Sequence, residues 1–154
     1  MKKILVIRNP NETEDSYGSS LEVRDDSGKS ILTSYKINTL KSKGHAGGKL
    51  SPVKCYAIYH KMYNYPAFVL FNAKAIYDNI KTWVDLTEDQ RTFDSEIPNP
   101  TQHNENKMKL IDLHIGKNGS DAGSNGCLSY LPEEYTKFEI FKDNEIVEFE
   151  LTEG

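Results

Sequence analysis

Residues 19–40, SSLEVRDDSGKSILTSYKINTL, decide the fold class. Leu21 and Val23 stand two apart with polar residues around them, the period of a strand with one buried face. Asp25-Asp26-Ser27-Gly28 then supplies residues that tolerate positive φ, so the chain turns there, and Ile31 begins a second strand. The triplet Gly28-Lys29-Ser30 looks like the end of a phosphate-binding loop. That loop needs a glycine five positions before Gly28, and Val23 stands there inside a strand. The stretch is read as a β-hairpin.

The same alternation spreads outward. Before the hairpin, the apolar run from Ile4 to Ile7 reads as a first strand. After it, KSKGHAGGKLSP (41–52) is a loop with three glycines and a proline. VKCYAIYHKM (53–62) is a strand with Val53, Cys55, Ala57 and Tyr59 on one face, and YPAFVLF (65–71) is a strongly apolar core strand. The period then changes: Ile76, Ile80, Trp83 and Val84 fall at helical spacing, Asn72 suits an N-cap, and Thr87 to Gln90 reads as a capping box opening a second helix. A polar, proline-bearing loop, 94–106, follows. KMKLIDLHI (107–115) returns to strand, with Met108, Leu110, Asp112 and His114 on one face. Residues 132–141 hold a turn of helix opened by the solvated acids Glu133 and Glu134, and 144–153 close the chain as an alternating strand. The expectation is a mainly β (β-rich α+β) single domain over 1–154 with a helical insertion at about 72–106.

Bulk properties narrow the function. A chain of 154 residues is long enough for one real core. Its net charge of -4, with lysines scattered among acids, speaks against a nucleic-acid partner. No run approaches the ~18 apolar residues needed to cross a bilayer, so no membrane insertion is expected. Lys2 and Lys3 precede apolar residues as in a signal peptide, but the run to Ile7 is shorter than the ~7–15 residues of a secretory core and no small-residue cleavage site follows. Synthesis in the cytoplasm is expected, with action in the periplasm only by a route other than general secretion. Two cysteines, Cys55 and Cys127, are too few for a disulfide scaffold.

The chemistry concentrates in His114 to Cys127, HIGKNGSDAGSNGC. Glycines at this density let backbone amides converge on one space. A thiol placed there finds amides for an oxyanion, and an imidazole within reach takes its proton. Each part also has an ordinary structural use: a cysteine as a small hydrophobe, a histidine at a strand end, a polar loop. Cys55, among inward-facing neighbours, reads as core. His45 reads as a loop residue near the cleft mouth, and His60 and His103 as surface. A metal site from His103, Asp112, His114 and Cys127 has no recognisable ligand spacing, so neither metal nor other cofactor is expected.

Ser124-Asn125-Gly126-Cys127 with the strand-borne His114 upstream resembles the catalytic motif of the L,D-transpeptidase (YkuD-like) family. The likeness runs further. Residues 19–40 resemble the family's opening hairpin, and Pro52 and Tyr56 match its proline and tyrosine segment. Residues 127–141 resemble the helix after the nucleophile, and 144–151 the closing strand. The resemblance implies an L,D-transpeptidase-like β-sandwich, with Cys127 as nucleophile and His114 as base. Gly126 and Cys127 would supply oxyanion amides, Ser124 and Asn125 would form the turn, and Ser129 and Tyr130 would lie on the substrate side. The implied substrate is a peptidoglycan stem peptide, acylating the thiol with loss of D-alanine.

Three departures qualify this. Asn125 stands where the family has histidine, Ser129 where it has arginine or asparagine, and the His-to-Cys spacing of thirteen is short. Short spacing is similar to divergent members used as interbacterial toxin effectors by type VI secretion or carried by phage, for which an immunity protein would be a partner. The alternative is a non-catalytic module binding cell wall or protein on the same fold. Trp83 and Tyr77 in the insertion read as packing residues, or as a lid over a groove.

Overall fold

The computed structural model describes residues 1–117 and 127–154. Among them run strands β1 (Lys3–Arg8), β2 (Ser19–Arg24), β3 (Ser30–Asn38), β4 (Val53–Met62), β5 (Tyr65–Phe71), β6 (Thr92–Asn99), β7 (Glu105–Lys109), β8 (Asp112–Ile115), β9 (Leu128–Tyr130) and β10 (Ile146–Glu153). Eight of them close into a barrel in the order β1-β10-β4-β5-β8-β9-β3-β2, while β6 and β7 form a separate two-stranded sheet. The protein is mainly β. The β1–β10 and β8–β9 pairs are parallel, and the other barrel neighbours antiparallel.

The alternation read from the sequence sets the inside of the barrel. Ile4 and Val6, Leu21 and Val23, Ala57 and Tyr59, Phe68 and Leu70, Leu113, Leu128 and Tyr130, and Val147, Phe149 and Leu151 all face one buried core. Each such side chain contributes about 1.5–3 kcal/mol on removal from water. Cys55 belongs to the same core. The turn at 25–29 forms as expected: Gly28 has φ +84°, and Asp25 Oδ1 accepts from the amides of Ser27 and Lys29.

The two mouths of the barrel are closed differently. Phe138 and Phe141, in and after a 3-10 turn at Pro132–Phe138, pack on Phe68, Tyr59 and Tyr130, with ring centroids 4.6–6.3 Å apart. Glu134 of that turn is not solvated; it accepts from Ser34 Oγ at 2.8 Å. At the other mouth stands Arg8, 2% exposed. Its Nε donates to Thr39 Oγ1 at 2.8 Å, one terminal nitrogen to the Leu50 carbonyl at 2.8 Å, and the other to Glu153 at 3.0 Å. Burying a guanidinium is tolerable here because every nitrogen is engaged.

Three expectations take another form. The strands make a closed barrel where a sandwich was expected. The helical insertion at 72–106 consists instead of 3-10 turns at Ala73–Tyr77, Trp83–Asp85, Asp89–Arg91 and Pro100–Gln102, with β6 and the start of β7. The first of these turns ends at Tyr77, and Asn79, at φ +58°, keeps the helical geometry from running on to Ile80. The capping box does form, with Thr87 N–H on Gln90 Oε1 and Gln90 N–H on Thr87 Oγ1, but it closes a single turn. Finally, 107–115 is not one strand. Leu110, at φ +60°, breaks it into β7 and β8, so Leu110 is half-exposed while Ile111 is buried.

The insertion nevertheless packs. Ala75 lies against Ile58 and Phe71, with Ile76, Ile80 and Leu86 around them, so the outer face of β4 and β5 is covered. Both faces of β5 are therefore buried, which explains its unbroken apolar sequence. The small sheet is tied on through the loop before β4: Glu96 N–H donates to the Lys49 carbonyl and Ser51 N–H to Asp94. Gly48 is needed there, since a Cβ would stand 2.6 Å from Ser95 Oγ. Among the described residues no helix is long and apolar enough to cross a membrane.

Arg8 and Phe138 are expected to be the costliest truncations at the two mouths. Arg8→Ala leaves buried acceptors unpaired and should lower stability by about 3–5 kcal/mol. Phe138→Ala opens a cavity and should cost about 3–5 kcal/mol. Urea denaturation of each variant measures both.

Candidate functional site

The site lies on the outer face of the β8–β9 pair. Leu113 is in register with Leu128, His114 with Ser129, and Ile115 with Tyr130. Because successive side chains alternate, Leu113, Leu128 and Tyr130 fill the barrel, and Asp112, His114, Cys127 and Ser129 share the opposite face. One step back along the register, Cys127 meets Asp112, whose backbone N–H donates to Sγ at 3.5 Å. The Leu110 carbonyl lies 3.9 Å from the same sulfur. The kink at Leu110 thus turns one amide and one carbonyl toward the thiol. A bulky residue at positive φ is strained, and such strain concentrates at functional sites.

His114 sits one diagonal step from Cys127. Its Nδ1 is 2.6 Å from the Ile115 carbonyl. A carbonyl only accepts, so Nδ1 carries the hydrogen, and in the neutral ring Nε2 keeps a lone pair.

Asp112 ties the site to the insertion. Arg91 donates through Nη2 to Asp112 Oδ1 at 2.9 Å, and both side chains are nearly buried, at 12% and 13% exposure. The Arg91 carbonyl accepts from Leu110 N–H at 3.0 Å, so the same residue also holds the kink. Burial pushes the Asp112 carboxyl above the usual carboxylate range, against the pull of Arg91, His114 and His60. The Cys127 thiol is pushed up to about 12, chiefly by desolvation and then by the Asp112 carboxylate; the Asp112 amide and Arg91 pull the other way.

His60 belongs to this neighbourhood and is not a surface residue. It projects from the outer face of β4, is half-buried, and stacks on Trp83 with ring centroids 5.2 Å apart. Desolvation lowers its pKa, which favours the neutral ring. Trp83 is 39% exposed, with one face against His60, and Tyr77 is exposed as well.

Of the residues expected to act, Cys127 and His114 share a face and Ser129 joins them. Ser129 is fully buried, opposite His114. Tyr130 does not belong to the site: its ring lies in the barrel core, and its hydroxyl donates to the Pro66 carbonyl at 2.8 Å. Alternation puts it on the far side of the sheet from Ser129. Ser124, Asn125 and Gly126 lie outside the described residues. Cys55 is held in the core, and burial pushes its thiol far up. His45 and His103 are exposed. Among the described residues no three His, Cys, Asp or Glu side chains gather as a metal site would need.

Arg91 was not singled out from the sequence, His60 was read as surface, and Asp112 was weighed only as a metal ligand. Asp112 was within reach, since it stands two residues before His114 and so shares its face. Nothing in the sequence pairs Arg91 with Asp112; that contact depends on how the insertion lies across β5. Compared with protein-family models, curated proteins and solved structures, the chain matches none.

With its pKa raised above the unfolded value of about 8.5, the Cys127 thiol favours folding fully below that value, and the contribution is lost as pH rises through about 12. Cys127→Ala should therefore lose less stability than the parent between pH 8 and about 10, as urea midpoints across that range would report. Asp112→Asn removes a carboxylate beside the sulfur and should speed alkylation of Cys127 by iodoacetamide several-fold at pH 8.

Proposed function

We propose that the protein is a cysteine-dependent acyltransferase or carboxypeptidase acting on a peptidoglycan stem peptide, as an L,D-transpeptidase-like enzyme. The observation that carries the reading is the β8–β9 register, with Cys127 and His114 on one face and the His114 Nδ1 held by the Ile115 carbonyl. That hydrogen bond leaves Nε2 as the acceptor a general base needs. The peptide substrate rests on the residues that resemble the family.

Desolvation raises the pKa of the Cys127 thiol, which favours its protonated form at rest. Deprotonation then belongs to the attack itself. Cys127 Sγ bonds to the carbonyl carbon preceding D-alanine while His114 Nε2 takes the thiol proton. The C–N bond breaks, the proton passes to the departing amine, and a thioester remains. An amine resolves it in exchange, water in hydrolysis; either restores the thiol. The Asp112 amide, 3.5 Å from the sulfur, stabilises the thiolate as it forms. No cofactor enters these steps. An effector role, with an immunity protein as partner, is a narrower form of the same proposal.

The burial of Ser129 favours the alternative, a binding module on the same fold, and the desolvation that raises the thiol pKa points the same way. Turnover separates the two readings. With a disaccharide-tetrapeptide, the parent should release D-alanine, Cys127→Ala should release none, and His114→Ala should fall by about 10²–10⁴-fold. Equal release by the parent and Cys127→Ala would end the enzyme reading.

A further inference from the structure

The guanidinium of Arg91 is only half used. Nε and Nη2 form one edge of the planar fork, the edge that a carboxylate grips with both oxygens. Asp112 takes Nη2 alone, and Nε on the same edge is buried without a partner. Buried polar groups are rarely left this way, and those that are call for an explanation.

The other buried side-chain atoms without a partner among the described residues are His60 Nε2 and Ser129 Oγ. All three fall around Asp112. Ser129 is opposite His114, next along the face from the Asp112–Cys127 step. His60 stands two residues along β4 from Ile58, on the same outer face, and Ile58 lies in the row Ile58, Val69, Asp112 that crosses β4, β5 and β8. Ser129 is fully buried, and its hydroxyl meets no hydrogen-bond partner among the described residues. A serine hydroxyl and an arginine edge are both donors that an anionic oxygen would fill.

We propose that Arg91 is a carboxylate anchor beside Cys127, with Asp112 standing in for the ligand carboxylate at rest, so that the site takes acyl donors bearing a free carboxylate. This deepens the acyltransferase reading and rests on its reactive thiol. It also supplies a cation that the position two after the cysteine, Ser129, does not. Arg91 is a specificity residue here, reaching the site from the 3-10 turn at Asp89–Arg91. A donor carboxylate seated on Nε and Nη2 makes two bonds where Asp112 makes one, and Asp112, already in surroundings that favour its neutral form, yields the position.

Two alkylating reagents of nearly equal size test this, iodoacetate with a carboxylate and iodoacetamide without. The rate of each at Cys127 is read on the intact full-length protein by mass spectrometry with peptide mapping. The iodoacetate-to-iodoacetamide ratio should exceed that of a short cysteine peptide by at least about tenfold, fall to the peptide's value in Arg91→Gln, and stay partly raised in Arg91→Lys. Asp112→Asn should raise the ratio further. Alkylation of Cys55, buried in the core, reports any variant that has unfolded; the parent ratio and competition by N-acetyl-D-alanine against its amide then decide without that variant. A parent ratio no higher than the peptide's, a ratio unchanged in a folded Arg91→Gln, or a Cys127 closed to both reagents overturns the proposal. A raised ratio together with no turnover of stem peptide keeps the anchor and removes the acyltransferase.

Discussion

Strands β8 and β9 run parallel, and their register governs what stands outside the barrel and what fills it. With Leu113 level with Leu128, three apolar side chains enter the core and Asp112, His114, Cys127 and Ser129 stay on the outer face. A slip of one residue would reverse every one of them. The slip is costly because Leu113, Leu128 and Tyr130 are fully buried, Tyr130 with its hydroxyl bonded to Pro66. The core thus sets which side chains share the outer face.

The second constraint is the segment between β5 and β8. It buries the outer face of β4 and β5, carries Trp83 onto His60 and brings Arg91 to Asp112. The Leu110 kink follows from the same arrangement, because the chain must leave the small sheet and enter the barrel within three residues. At the kink the Leu110 amide is held by Arg91, and the Asp112 amide meets the sulfur. Packing, strain and thiol environment are linked through one residue pair.

Much of the barrel was legible because its strands have one buried and one covered or wet face, and period two survives in Leu21 and Val23, in Cys55, Ala57 and Tyr59, and in β10. Closure was not legible, since alternation names an inward face without saying whether a sheet meets itself or a second sheet. The insertion misled for a local reason: Ile76 and Ile80 have helical spacing, but Asn79 adopts positive φ between them. At the site, Cys127 and His114 could be named from residue type and order. Tyr130 could not be placed until the register was known, and Arg91 could not be found at all, because its partner is 21 residues away across another strand.

Trapping of the acyl-enzyme is the most direct test. The parent protein is mixed with stem tetrapeptide, quenched in acid during turnover and digested, and the peptide carrying Cys127 is weighed. The expected result is an adduct on Cys127 equal to the donor less D-alanine, labile to hydroxylamine and absent from Cys127→Ala. D-alanine released while the Cys127 peptide stays unmodified, or an adduct on another residue, would contradict it.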